Sequence, residues 1–434
     1  VRVLCSLLLI ALLAPMVGAQ SIGEVLQECP GTITGSDAPE QVHLQATDDP
    51  TQMVVIWATE AATGAEVEWN GQNAVGESYC YNHDMAFHMA TMTDLTPDEE
   101  VTYRVGDGST WSAEMQFTPI DMAASQIEWI SIGDHGMSDE GLAVSDAIAA
   151  DSATRFVTIS GDISYADGTQ SEWDEYFSIN TPSMQEIPWL TAVGNHENEP
   201  GYGFTPYAHR FDADGVIESE PFWYSRNVPG VHMVFMSTEH DYTSGSAQFN
   251  WLENDLASVE RDVTPFVIVF GHKPMYSSNA YHGSEVELRD ALEALYVTHE
   301  VDLVIAGHDH FYERTWPVEN ELGSGEGNLF DQTALPIHLV IGMGGRSAYE
   351  ELEEPQPTWS AYRENSTYGW TRWVYDADAG TLEMTHHRID GSIGDTLTLQ
   401  TAPLPSHEDG GLIIGFESGL ILVAFAGAAV RRLR

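Results

Sequence analysis

Lysine is almost missing from this sequence. Lys273 is the only one, and Lys and Arg together number 16 against 67 Asp and Glu in 434 residues, a formal net charge of -51 at pH 7. A field of that sign repels any polyanion, which excludes nucleic-acid binding. Cysteine is scarce as well. Cys5 falls in an apolar N-terminal stretch, leaving Cys29 and Cys80, neither of which has metal-ligand spacing. In an exported chain that pair permits a disulfide, but the sequence leaves the geometry open. There is no internal repeat. Disorder is excluded too, because the acids are dispersed among aromatic and β-branched residues and the 43% hydrophobic content is ample for packed cores. Dispersed acid with almost no lysine points to a surface adapted to high salt and a halophilic source, where screening tolerates self-repulsion. An ordinary acidic secreted protein is the plainer alternative.

Both ends read as addresses. Arg2, the apolar run Leu7 to Leu13 and Val17-Gly18-Ala19 form the three regions of a signal peptide over residues 1–19. At residues 410–434 an apolar segment from Leu412, interrupted by Glu417, is stopped by Arg431-Arg432-Leu433-Arg434. It is barely long enough to span a bilayer and resembles a tripartite C-terminal sorting signal of archaeal surface proteins. A plain membrane anchor and a buried helix are the alternatives. Together the ends imply an extracellular or cell-surface location, with membrane or lipid anchoring through the tail. A homodimer is compatible with the sequence.

Between the ends the rhythm changes once. Residues 39–119 alternate apolar and polar positions with turn residues between, as in Val54-Val55-Ile56-Trp57 and Val101-Thr102-Tyr103-Arg104-Val105. Short strands at near-regular spacing predict an all-β sandwich, and nothing in it has catalytic spacing, so it reads as a spacer or docking wall. Residues 126–400 instead alternate strand and helix. Strands are expected at 127–132, 156–160, 189–193, 231–237, 266–270 and 303–306, and helices at 140–150, around 173–177, at 247–259 and at 286–298. That pattern predicts layered α/β architecture built from βαβ units. Late strands at 337–341, 370–375 and 381–386 lack helices between them and are expected to add antiparallel pairs.

Five predicted strands end in the same way. They run into Gly133-Asp134-His135, Gly161-Asp162-Ile163-Ser164-Tyr165, Gly194-Asn195-His196-Glu197, Gly271-His272-Lys273 and Gly307-His308-Asp309-His310. One Gly-Asp is ordinary turn chemistry. Repeated at five ends, expected on one sheet edge, it reads as a site in which glycine lets the backbone turn beside a crowded ion. Asp134, Asp162, Tyr165 and His310 suit a trivalent iron; Asn195, His272 and His308 suit a divalent ion, with Asp162 bridging. The net positive charge left at such a centre would draw a phosphate monoester dianion into a strongly acidic protein.

The ordered motifs Gly-Asp-x-Gly, Gly-Asp-x-x-Tyr-Ala-Asp, Gly-Asn-His-Glu, Gly-His-x-Pro-Met-Tyr and Ala-Gly-His-x-His-x-Tyr-Glu-Arg resemble those of the purple acid phosphatases within the metallophosphoesterases. Pro39-Glu40-Gln41-Val42-His43-Leu44 resembles the start of their N-terminal domain, and Gly342-Met343-Gly344-Gly345 resembles a late glycine loop. The resemblance implies a fibronectin III-like sandwich followed by a calcineurin-like, four-layer metallophosphoesterase domain with two packed mixed sheets. It implies Asp134, Asp162, Tyr165, Asn195, His272, His308 and His310 as metal ligands. The implied cofactors are Fe(III) plus a divalent metal (Zn, Mn or Fe(II)). The implied reaction is hydrolysis of small phosphorylated substrates, phosphate monoesters, by in-line attack of a metal-bound hydroxide. A phosphodiesterase or nucleotide pyrophosphatase on the same core is the rival enzyme, and a non-catalytic surface binding protein the rival outside enzymes.

Two histidines remain. His196 is expected to contact the phosphoryl group, against a plainer role as an orienter of Glu197. His282 falls where the family places substrate-facing histidines and is expected to protonate the leaving group. Family members often have adjacent histidines there, whereas here the neighbour is Tyr281. Glu313 and Arg314 are expected to brace the loop after the last ligand by ion pairing.

Overall fold

The computed structural model describes residues 33, 35–81, 83–211, 222–323, 325–332 and 335–401. The expected signal at 1–19, the C-terminal segment at 410–434 and Cys29 lie outside them. Cys80 is disulfide-bonded. No helix among the described residues is long and apolar enough to cross a membrane.

Alternation builds the N-terminal layer pair. Strands β1 (Glu40–Ala46), β2 (Met53–Thr59), β3 (Glu66–Trp69), β4 (Gln72–Val75), β5 (Glu77–Tyr79), β6 (Ala86–Met92), β7 (Val101–Gly106) and β8 (Met115–Phe117) form two antiparallel sheets. Their orders are β1-β2-β6-β5 and β4-β3-β7-β8. Leu44, Val55 and Trp57 from one sheet meet Val67, Tyr103 and Phe117 from the other, since side chains two apart share a face. The sandwich docks through a buried cation. Arg210 packs among the rings of Tyr81, Phe87, Trp173 and Phe177 and donates to Tyr81 Oη (2.7 Å) and Asp174 Oδ1 (3.3 Å).

The second region runs β9 (Gln126–Ile132), α1 (Asp139–Ala150), β10 (Val157–Ser160), α2 (Gln170–Met184), β11 (Trp189–Ala192), α3 (Thr205–Phe211), β12 (Tyr224–Val228), β13 (Val231–Phe235), α4 (Ala247–Ser258), β14 (Phe266–Phe270), α5 (Val286–Thr298), β15 (Leu303–Ala306) and β16 (Tyr312–Thr315). Three short strands, β17 (Val318–Glu319), β18 (Leu322–Gly323) and β19 (Leu329–Asp331), precede β20 (Ile337–Ile341), β21 (Ser360–Glu364), β22 (Gly369–Asp376), β23 (Thr381–Arg388) and β24 (Ile393–Gln400). Two seven-stranded mixed sheets result, β11-β10-β9-β22-β23-β24-β19 and β12-β13-β14-β15-β20-β16-β21.

Residue parity sorts each strand between two cores. Ile127 and Trp129 of β9, and Phe266, Ile268 and Phe270 of β14, enter one cluster between the sheets. Ile130 and Ile132 pack instead with Val144 of α1 and Trp173 of α2, while Val267 and Val269 pack with Leu252 of α4 and Leu292 of α5. Four layers, helix–sheet–sheet–helix, follow from strands that are apolar on both faces. One pairing differs from expectation. β20 pairs with β16 antiparallel but with β15 parallel, because the chain between β15 and β20 turns back through β16 and returns in the original direction.

Buried imidazoles tie this packing to pH. His88 lies between Thr59 Oγ1 and Ser78 Oγ, both at 2.8 Å, and His209 packs its ring near Tyr79 and Tyr81. Burial pushes each pKa down to about 4. The unfolded chain takes up protons near pH 6.5 that the folded chain refuses, so stability is complete above that pH and is lost as pH falls towards 4. Each histidine is worth up to about 3 kcal/mol. Thermal unfolding without metal should show a falling midpoint from pH 7 to 4.5, with His88→Asn losing less on acidification; an equal loss in that variant would exonerate His88.

Candidate metal centre

Each strand end delivers its polar residue through a tight turn. A Cβ on Gly161 (φ +78°) would lie 2.5 Å from His272 Nδ1, and one on Gly194 would collide with Asp162 Oδ1. The backbone is held in the left-handed region at Asp134 (φ 54°), Asp162 (53°), Tyr165 (57°) and His308 (68°). Non-glycine residues adopt it at a cost of order 1–3 kcal/mol when surrounding structure over-determines them. Here that structure includes Glu197. Its carboxylate accepts the backbone N–H groups of Gly194 (2.7 Å), Asp162 (2.9 Å) and Ile163 (2.9 Å), clamping the turns after β10 and β11 together.

The expectation of a single sheet edge is corrected. Asp134, Asp162 and Asn195 follow β9, β10 and β11 of one sheet, whereas His272 and His308 follow β14 and β15 of the other. The packing of two parallel strand sets, ends aligned, creates the meeting point. Similar motifs could not reveal that they belonged to two sheets.

Two groups of donor atoms form there. Tyr165 Oη lies 3.1 Å from both Asp134 Oδ1 and His310 Nε2, and these two are 3.4 Å apart. Across from them, His272 Nε2 lies 3.0 Å from Asn195 Oδ1, 3.2 Å from His308 Nδ1 and 3.3 Å from Asp162 Oδ1. Ligands 2.0–2.2 Å from one ion at right angles stand about 3 Å apart, so both groups fit an ion at their centre. Tautomers agree. His272 Nδ1 donates to Ser160 O and His310 Nδ1 to Ser347 O, each at 2.8 Å, leaving both Nε2 lone pairs directed inwards.

The electrostatics also call for positive charge. Burial alone would lower the His272 pKa, yet the Asp162 and Asp134 carboxylates outweigh it and push it up to about 10. Burial, then Asp134 and Asp162, push the Tyr165 phenol well above its ordinary value. Burial and the neighbouring His272 and His282 hold His308 down to about 2. A cage whose carboxylates raise the His272 imidazole against burial, and add to burial in raising the Tyr165 phenol, suits cations better than protons.

His196 and His282 lie at the edge of this cage. His196 Nδ1 is 2.6 Å from Asp167 Oδ1, and its Nε2 is 3.9 Å from Asp162 Oδ2. The ring is therefore oriented by Asp167, and it is the His196 backbone N–H, not the ring, that reaches Asp162 (2.9 Å). His282 packs over His308, ring centres 4.2 Å apart, with Tyr281 exposed beside it. Glu313 and Arg314 do not pair with each other. Arg314 binds Asp395 (2.6 and 3.1 Å), while Glu313 accepts from the backbone and hydroxyl of Ser278, tethering the loop that carries His282. Two neighbours escaped the sequence reading. Tyr349 stacks on His310 at 4.2 Å, and the Arg346 guanidinium lies 4.4 Å from the Tyr165 ring centre. Their only signal was the preceding Gly342-Met343-Gly344-Gly345.

Comparisons with known proteins agree along the chain. The family model for the calcineurin-like phosphoesterases matches residues 132–312. That for the purple acid phosphatase N-terminal domain matches 39–119, and that for the iron/zinc purple acid phosphatase-like protein C matches 335–396. A purple acid phosphatase of Glycine max is 32% identical over 364 residues, covering 76% of this chain and 78% of the relative. An Fe(3+)-Zn(2+) purple acid phosphatase 12 of Arabidopsis thaliana is 30% identical, covering 76% and 78%. Among solved structures, purple acid phosphatase PPD1 from yellow lupin seeds superposes with a TM-score of 0.78 at 24% identity, covering 85% of this chain and 75% of the lupin chain.

Proposed function

The chain belongs to the purple acid phosphatases, and from that premise we propose that it hydrolyses phosphate monoesters at a dinuclear Fe(III)–divalent centre that Asp134, Asp162, Tyr165, Asn195, His272, His308 and His310 would hold. The single observation that carries the reading is the convergence of these seven side chains into two neighbouring groups of donor atoms. When bound, the ions neutralise phosphoryl oxygens and lower the pKa of water for in-line attack.

The chain's own residues then bind and orient. Asp167 fixes the His196 ring so that Nε2 faces the cage and hydrogen-bonds a phosphoryl oxygen. His282, held over His308, gives the departing alkoxide its proton, a role typically worth 10²–10⁴-fold. Burial and His310 lower its pKa in the free protein, and an arriving phosphate dianion acts in the opposite sense.

A colour measurement tests the centre. Tyrosinate on ferric iron absorbs broadly in the visible, so the metal-loaded protein should be coloured and Tyr165→Phe should bleach it. A colourless, iron-free and fully active preparation would remove Tyr165 from the centre and leave a generic metallophosphoesterase.

A further inference from the structure

With roughly four carboxylates for every cation, any arginine on this surface should find a partner, and nearly all do. Every other described arginine, and Lys273, makes an ion pair with Asp or Glu. Arg346 is the exception among the described residues. Its side chain is exposed at the mouth of the metal cage, where its contact is the ring of Tyr165.

That placement is held rigidly from behind. The Arg346 backbone N–H donates to Asp134 O (2.9 Å), and the Gly344 N–H donates to Gly133 O (3.0 Å). Ser138 Oγ donates to Gly345 O (2.6 Å), and Tyr349 N donates to His310 O (3.0 Å). The loop is therefore stitched to two ligand-bearing turns, while the guanidinium rests on the Tyr165 ring with no carboxylate partner among the described residues. In a protein of net charge -51, a dianionic substrate is attracted only locally. A fixed loop presenting an unpaired, planar, bidentate donor beside the cage is what recognition of a second acidic group requires.

We propose that Arg346 binds an anionic group on the substrate other than the transferred phosphoryl, so that the preferred substrates are phosphate monoesters bearing a nearby carboxylate or second phosphate. The proposal rests on the phosphatase reading for its first anionic subsite and adds a second. The distal acid and the guanidinium pair across the mouth while the ester phosphoryl occupies the cage.

Binding without turnover separates the two ideas. Calorimetry on the metal-loaded full chain at low salt would compare three non-hydrolysable probes: propylphosphonate, 3-phosphonopropionate and propane-1,3-diphosphonate. At least one doubly acidic probe should bind about tenfold tighter than propylphosphonate, the advantage vanishing in Arg346→Gln and surviving in part in Arg346→Lys. The probe that keeps the advantage tells carboxylate from phosphate. No advantage in the wild type, an advantage that persists in Arg346→Gln, or an equal loss for all three probes overturns the proposal. Hydrolysis of ethyl phosphate is followed separately: turnover without the preference removes only the Arg346 subsite, and the preference without turnover removes only the phosphatase reading.

Discussion

Asp162→Asn is expected to lower monoester turnover by about 10³-fold and to cost the protein one of its two ions, with circular dichroism unchanged. The asparagine keeps the size of the side chain and can still accept the His196 N–H now bonded to Asp162 Oδ1 at 2.9 Å. What disappears is a negative charge felt by both donor groups at once. Asp162 raises His272 in one group and contributes to raising Tyr165 and His310 in the other. Without it the donor groups would offer one negative charge fewer to the cations they would hold. Metal analysis per chain, beside the steady-state rate, checks this. Two retained ions at full rate would show that the Asp162 charge is not needed to hold the pair.

Glu197→Ala should be the most damaging change that touches neither substrate nor ion. It strands the N–H groups of Gly194, Asp162 and Ile163 in a buried site, a loss of at least about 3 kcal/mol. It also releases the turns that aim Asp162 and Asn195, so metal affinity should fall about 10–100-fold. Burial and Asp162 push Glu197 up to about 8, against the Ile163 and Gly194 amides and His272, which favour its charge. Glu197→Gln separates the two contributions, since its oxygen can still accept from Gly194 and Asp162. Denaturant titration should show Gln recovering most of the stability lost in Ala. If Gln were as damaging as Ala, charge rather than acceptor geometry would be the cause.

Much of this was readable from residue order alone, and the reasons are local. The strands at Phe266–Phe270 and Leu303–Ala306 and the helix at Val286–Thr298 lie where periodicity puts them, because short apolar runs bounded by Gly or polar residues have few other uses. The glycine before Asp162 was legible for the same reason: crowding beside His272 is a local demand. By contrast, β20 looked like one more antiparallel strand, since nothing in Ile337–Ile341 records the direction of its neighbour. The partners of Glu313 and Arg314 were also out of reach, because Ser278 and Asp395 lie far from them in sequence.

The sequence by itself determined the classes of element, the sandwich preceding the α/β region, and the residue types offered at five strand ends. Those depend on side-chain periodicity and on which residues bind hard or borderline cations, properties that need no neighbours in space. Only the tertiary structure decided that the five ends belong to two facing sheets, that Asp167 orients the His196 ring, and that Arg346 reaches the mouth without a carboxylate partner among the described residues. These are contacts between segments tens to hundreds of residues apart, fixed by how the sheets pack and not by any pattern along the chain.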